Sequence, residues 1–203
     1  MSKMLLSGLN IGISDNIPEI NSNNNLGYEI LEFLQVFSGL VFKYGARITH
    51  DSHPYLTPML IKQSQRFKTN NVQPLTLIMS ELEYNNHLNK KYYNEGSNLI
   101  IAKEIDVKKE FTSKINVLII IDYRNDGING LTPGTQESFN IALKNDIPVI
   151  FLPLYKYKYE ELNKIELVFN IDNIKKEELN SANETYSYSG FLFNKLIEFN
   201  KNR

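Results

Sequence analysis

The chain has no cysteine and no tryptophan among its 203 residues. Without cysteine it can form no disulfide and carries no thiolate nucleophile. It also lacks an excess of either charge: 22 basic residues stand against 23 acidic ones, a formal net charge of −1. Composition therefore gives no electrostatic ground for a nucleic-acid partner. No apolar run approaches the roughly 20 residues that cross a bilayer. The opening MSKMLLSGLNIGISDN has neither the apolar stretch nor the cleavage signature of a secretory signal. These absences set the expectation of a cytoplasmic protein with no membrane partner. What is present, 42% hydrophobic and 22% charged residues with seven prolines, suits collapse into a globule. The length fits a single domain over residues 1–203.

Periodicity supplies the elements. Lys3–Leu6 reads as a first strand, followed by a polar, flexible segment that includes NSNNN at Asn21–Asn25. The spacing of Ile30, Phe33, Leu34, Phe37, Leu40 and Val41 predicts a helix over Leu26–Tyr44, closed by Gly45, with a strand at Ala46–His50. A helix over Leu56–Phe67, with Pro58 near its start, leads to strands at Leu75–Met79 and Leu99–Ala102. Residues Ser80–Asn98 impose no single structure. Five consecutive apolar residues, Val117–Ile121, make Lys114–Asp122 a buried strand. A helix over Thr135–Lys144, a strand at Pro148–Leu152 and a closing helix over Gly190–Lys201 follow. Strands alternating with helices predict an α/β fold: one Rossmann-like, open, mostly parallel sheet with flanking helices.

In such a sheet, loop amides and helix N-termini face ligands together, and three loops carry suitable chemistry. In the first, Ser7, Gly8 and Asn10 offer a hydroxyl, a permissive backbone and an amide; an ordinary turn is the alternative. The second, RITHDSHP, holds Arg47 for phosphate and His53 for a ligand or proton. His50, Asp51 and His53 alternate too tightly to specify a metal geometry, and no metal or cofactor is expected. The third runs from Asp122 to Glu137. Gly134 either serves an unusual turn or admits a phosphate, and Thr135 either caps the helix or binds phosphate through its hydroxyl. Arg124 suits phosphate or the surface, while Asp122 and Asp126 orient a ligand or close a strand and turn. Glu137 either complements the helix's positive end or acts on a sugar centre. Neither a P-loop nor GxGxxG is present, which removes direct support for ATPase or hydride-transfer chemistry.

Read in order, LSG ending at Gly8, YGARITHDSHP at Tyr44–Pro54 and LTPGTQE at Leu131–Glu137 resemble the phosphate loop, the second glycine-rich loop and the late PGGxGTxxE-like loop of the SLOG superfamily. This group links DNA-processing nucleotide-binding domains with the lysine decarboxylase-like phosphoribohydrolases, and the resemblance spans roughly Met4 to Pro153. It implies that Gly134 and Thr135 hold phosphate while Glu137 approaches the ribose. Glu137 takes the first of two acidic positions, and Ser138 stands where the fuller motif has the second. Asp51 and Ser52 stand where related sensing domains often have glycines. SLOG domains of bacterial antiviral defence are similar in their Ser-Gly, HP-terminated and Gly-Thr-Glu loops, which implies a signalling role.

The expected ligand is a phosphorylated nucleoside or ADP-ribose-like nucleotide. The expected activity is hydrolysis of its N-glycosidic bond, with Glu137, Asp122 and Asp126 as catalytic residues and Ser7, Gly8, Asn10, Arg47, His53, Arg124, Gly134 and Thr135 binding the nucleotide. A non-catalytic nucleotide sensor remains open, with a homo-oligomer or a defence effector as partner. A protein-interaction domain using the alternating Tyr155, Tyr157 and Tyr159 also remains open.

Overall fold

The computed structural model describes residues 4–17, 26–69, 72–86, 90–122, 131–151, 168–170 and 184–203. The expectations for Asn21–Asn25, Arg124, Asp126 and Tyr155–Tyr159 lie outside these residues.

The strands are β1 (Asn10–Asn16), β2 (Arg47–His50), β3 (Leu75–Ser80), β4 (Asn98–Ala102), β5 (Val117–Asp122), β6 (Val149–Phe151) and β7 (Val168–Asn170). The helices are α1 (Leu26–Lys43), α2 (Leu56–Gln65), α3 (Glu81–Asn86), α4 (Lys90–Gly96), α5 (Val107–Ser113), α6 (Pro133–Lys144) and α7 (Glu184–Lys201). The strands form one open sheet in the order β4-β3-β2-β1-β5-β6-β7, every neighbouring pair parallel. This is the expected Rossmann-like architecture. The chain builds outward from β1 in one direction and then, from β5, in the other, so the order reverses between these two strands.

Both faces of the sheet are covered, which explains the unbroken apolar run of β5. Val117, Ile119 and Ile121 join the cluster that contains Leu34 and Phe37 of α1, Leu60 of α2 and Leu192 and Leu196 of α7. Leu118 and Ile120 join Phe111 of α5 and Phe139 and Ala142 of α6 on the other face. Within α1, Phe33 and Phe37 lie one turn apart and stack with centroids 5.9 Å apart. Burial of a side chain such as Phe37, wholly enclosed, contributes about 2–3 kcal/mol. Gly45 ends α1 as its spacing predicts. It adopts φ 89°, and the Ala46 N–H donates to the Val41 carbonyl at 3.0 Å, the wrap that satisfies a helix's last carbonyls.

The first strand requires a correction. Leu5–Gly8 forms turns, with Leu9 N–H donating to Leu6 O at 3.1 Å and Gly8 at φ 83°. The strand instead occupies NIGISDN, where Ile11 and Ile13 alternate onto one face. Their two-residue period was obscured by the glycine between them and the polar residues after them. A second correction concerns α6, which begins two residues before Thr135. Thr132 occupies the N-cap and Pro133 the first turn, where its fixed φ and missing N–H cost nothing. Two short helices, α3 and α4, fill most of the stretch for which the sequence imposed no structure.

Gly12 provides the space that lets α5 approach β1. A Cβ at this position would lie 2.6 Å from Ile115 Cδ1 and 3.0 Å from Phe111 Cζ. Gly12→Val is expected to destabilise the protein by about 1–3 kcal/mol through overpacking, measured as a lower urea midpoint with unchanged slope.

Candidate functional site

Parallel strands bring all their C-terminal ends to one edge, and a reversal of strand order opens a crevice there. Asp15 and Asn16 end β1, His50 ends β2, Ser80 ends β3, and Asp122 ends β5 paired in register with Asn16. At this edge lies a cavity of about 300 Å³. Its wall includes five carboxylate residues, Asp15, Asp51, Glu83, Glu104 and Glu137, together with Lys108, Ser52 and Ser80.

Asp51 and Lys108 form a close ion pair, their side chains 9% and 22% exposed. Ser52, in the turn after β2, adopts φ 66°, a left-handed conformation costly for a residue with a Cβ. Its hydroxyl donates to Glu83 Oε1. The Glu83 N–H in turn donates to Ser80 Oγ at 3.1 Å, so β2 and β3 deliver one connected polar wall.

Within the wall, Asp15 meets His50 and His53. The Asp15 side chain is 2% exposed, and among the described residues its Oδ2 has no hydrogen-bond partner. Burial, reinforced by the Asp51 charge, holds the Asp15 carboxyl well above the usual carboxylate range, while Lys108 acts in the opposite sense. His50 donates from Nδ1 to the Ile13 carbonyl at 3.2 Å, leaving its buried Nε2 unpartnered. Burial pulls His50 down. His53 is pushed down to about 4, first by burial and then by neighbouring His50, so at neutral pH the ring is uncharged. Its Nδ1 accepts from the backbone N–H groups of Tyr55 at 3.2 Å and Leu56 at 3.4 Å. The ring proton therefore sits on Nε2, which faces Asp15 Oδ2 across 3.8 Å.

These environments have a stability consequence. The Asp15 pKa is raised on folding, so its favourable contribution is complete below its unfolded value, near 3.8. It is lost as pH rises through the folded value. Asp15→Asn is therefore expected to gain stability relative to wild type as pH increases above about 4, read as a widening difference in Tm across a pH series.

The residues singled out in the sequence divide between two edges. Glu137 is exposed on α6 and lines the cavity. Gly134 lies three residues before it, hence on the same helix face. Gly134 belongs to the first helical turn and not to the expected unusual turn, since the described glycines with positive φ are Gly8 and Gly45. What it leaves is room: a Cβ there would be 3.8 Å from Lys108 Nζ. Thr135 is 3% exposed, and its Oγ1 accepts from Thr132 Oγ1 at 3.0 Å. His53 joins the cavity edge through Asp15.

Ser7, Gly8, Asn10 and Arg47 do not join them. They lie before or at the beginning of β1 and β2, so the length of β1, about 20 Å at roughly 3.3 Å per residue, separates them from the cavity. A single cleft formed by all three loops is thus corrected: the displaced first strand removes Ser7, Gly8 and Asn10, and Arg47 opens β2, whose other end meets the cavity. Asn10 instead ties strands together. Its N–H donates to Asn116 Oδ1 at 2.8 Å, and its Oδ1 accepts from Thr49 Oγ1 at 3.0 Å. Arg47 lines a separate cavity with Lys68 and Gln73.

Sequence reasoning did not single out Asp15, Lys108, Glu83 and Glu104, which line the cavity. Asp15 could have been found from the Ile11/Ile13 alternation, which places it at a strand's C-terminal end. Among the described residues, no group of three His, Asp or Glu side chains is arranged to hold a metal ion. No described helix is long and apolar enough to cross a membrane.

The fold and crevice define a Rossmann-like α/β protein with its cavity at the switch point, the arrangement nucleotide-binding members of this architecture use. No protein-family model matches the sequence, and no curated protein matches it significantly. A solved structure, that of the structural-genomics target TM1055, is similar at a TM-score of 0.47 and 10% identity over 70% of this chain and 72% of that one. The functional reading accordingly rests on this chain's own residues.

Proposed function

We propose that the switch-point cavity binds a phosphorylated nucleoside and cleaves its N-glycosidic bond. The observation that carries this reading is that Glu137 and Lys108 line one polar cavity at the sheet's C-terminal edge, with Gly134 of the first turn of α6 beside Lys108. The N–H groups of Gly134 and Thr135 belong to the first turn, where helix donors lack intrahelical acceptors and the dipole favours an anion. Lys108 adds the cation. Because the Thr135 hydroxyl is buried against Thr132, phosphate binding at Thr135 falls to its N–H. Among the described residues, one cation beside five carboxylates suits a single phosphate better than a polyphosphate, and carboxylates are apt acceptors for ribose hydroxyls.

Glu137 then faces the sugar, where an ionised carboxylate stabilises positive charge at C1′ or forms a transient ribosyl ester. The test is a mass-spectrometric panel of nucleoside monophosphates, cyclic nucleotides, NAD and ADP-ribose that records both retained ligand and products. Free base together with ribose 5-phosphate is the expected result. Saturable retention of unchanged nucleotide would replace the enzyme with a sensor, and neither retention nor turnover would sink both readings.

A further inference from the structure

We propose that Asp15 is the acid that protonates the departing base, with His53 as its positioning residue. This inference rests on the N-glycosidase reading of the cavity.

A nucleobase leaves poorly as an anion, so cleavage is helped by a donor that still carries its proton at working pH. The cavity wall offers few. Lys108 is engaged with Asp51 beside the first turn of α6. His50 spends its ring proton on the Ile13 carbonyl. Asp15 differs from both: it lines the cavity, is almost wholly buried and leaves Oδ2 without a partner. An unpaired buried carboxylate is expensive, whereas a buried carboxylic acid is a donor awaiting an acceptor. A ring nitrogen of the base would supply that acceptor once the side chain, whose Oδ2 is closed to solvent at rest, turns its proton toward the cavity that Asp15 lines.

Among the described residues, the charged and titratable groups facing Asp15 are His50 and Asp51 at the end of β2, His53 before α2 and Lys108 of α5. Glu83, Glu104 and Glu137 share the cavity. Burial and the Asp51 charge favour the protonated carboxyl at rest, in agreement with the geometry. His53 is locked by two backbone donors on Nδ1, so that Nε2–H faces Asp15 Oδ2 across 3.8 Å. A modest closure brings that N–H into hydrogen-bond range of the carboxylate formed after donation.

The proton passes from the Asp15 carboxyl to the base nitrogen as the N–C1′ bond breaks and its electron pair stays with the base. Glu137 stabilises or captures C1′. Water then delivers hydroxide to C1′ and its remaining proton to Asp15, restoring the acid. The balance is nucleotide plus water to free base plus ribose 5-phosphate.

The test compares adenosine 5′-monophosphate with 4-nitrophenyl β-ribofuranoside 5-phosphate, whose nitrophenolate leaves without protonation. Asp15→Asn is expected to lose at least about 100-fold in kcat on the adenine nucleotide and less than about tenfold on the nitrophenyl compound. His53→Ala should lower kcat about tenfold on the former alone with KM nearly unchanged, and His53→Gln, which restores an N–H, should recover most of it. In the wild-type enzyme, which needs no variant to fold, the adenine reaction should decline on the alkaline side while the nitrophenyl reaction does not. Equal losses on both substrates in Asp15→Asn, no loss on either, or an alkaline decline shared by both substrates would overturn the role of Asp15. Wild-type cleavage of the nitrophenyl compound alone would overturn it while leaving ribosyl cleavage intact. Cleavage of neither would remove the underlying reading as well.

Discussion

Glu137→Gln is expected to lose about 100- to 1,000-fold of base release while retaining phosphate-dependent binding. The exchange keeps the side chain's size and removes only its charge. That charge is what a developing positive sugar centre would feel, and in a cavity that excludes part of the solvent such stabilisation is worth several kcal/mol. Two facts separate this effect from a structural one. Glu137 is exposed, so the substitution should change stability by no more than about 0.5 kcal/mol. It is also the fifth residue of α6, beyond the first turn in which the helix dipole rewards an acid most strongly. Free base is quantified by chromatography over a matched nucleotide panel, with binding followed by calorimetry and folding by thermal melts. Turnover near wild type in a folded Glu137→Gln protein would eliminate the catalytic carboxylate and leave binding to be judged separately.

The elements legible in the sequence are those whose pattern is local and strong. The run Val117–Ile121 is apolar at every position because β5 is buried on both faces, and the stripe Ile30–Phe33–Leu34–Phe37–Val41 follows the period of a single helix face. Gly45 was legible because a helix end needs the left-handed torsion that it adopts. β1 was not, because Gly12, Ser14, Asp15 and Asn16 give it the composition of a loop. Only its central position between β2 and β5 buries it, and no local pattern announces that position.

This single displacement also governs the site. With the strand set at Lys3–Leu6, Ser7 and Gly8 stand at its C-terminal end, on the edge that carries the cavity; with the strand at Asn10–Asn16 they fall before its start, and Asp15 takes their place. Glu137, Gly134, Thr135 and His53 reach the edge that carries the cavity because the elements around them were assigned within a few residues. Lys108 was illegible for another reason. Its partner Asp51 is 57 residues away, and nothing in the sequence of α5 distinguishes Lys108 from its neighbour Lys109. Tertiary proximity alone selects it.

Lys108→Met is expected to weaken binding of a nucleoside monophosphate by about 10- to 100-fold and to destabilise the protein by about 2 kcal/mol. The methionine keeps the packing of the lysine stem, so what is lost is the ammonium that neutralises Asp51 and faces the first turn of α6. The stability loss lies between two limits: exposed ion pairs contribute about 0–1 kcal/mol, and breaking a fully buried pair costs about 3–5 kcal/mol. With the Asp51 side chain 9% and that of Lys108 22% exposed, this pair belongs between them. The cause can be isolated, because the loss arises from stranding the Asp51 carboxylate near Asp15. Lys108→Met combined with Asp51→Asn should therefore recover most of the stability, since an amide needs no counter-charge. It should not recover affinity, because the cation assigned to phosphate is still missing. Calorimetric binding and urea melts on the two single variants and the double variant separate these contributions. Recovery of both properties in the double variant would make Lys108 a structural counter-ion to Asp51. Unchanged affinity in a folded Lys108→Met protein would leave the first turn of α6 as the phosphate anchor among the described residues.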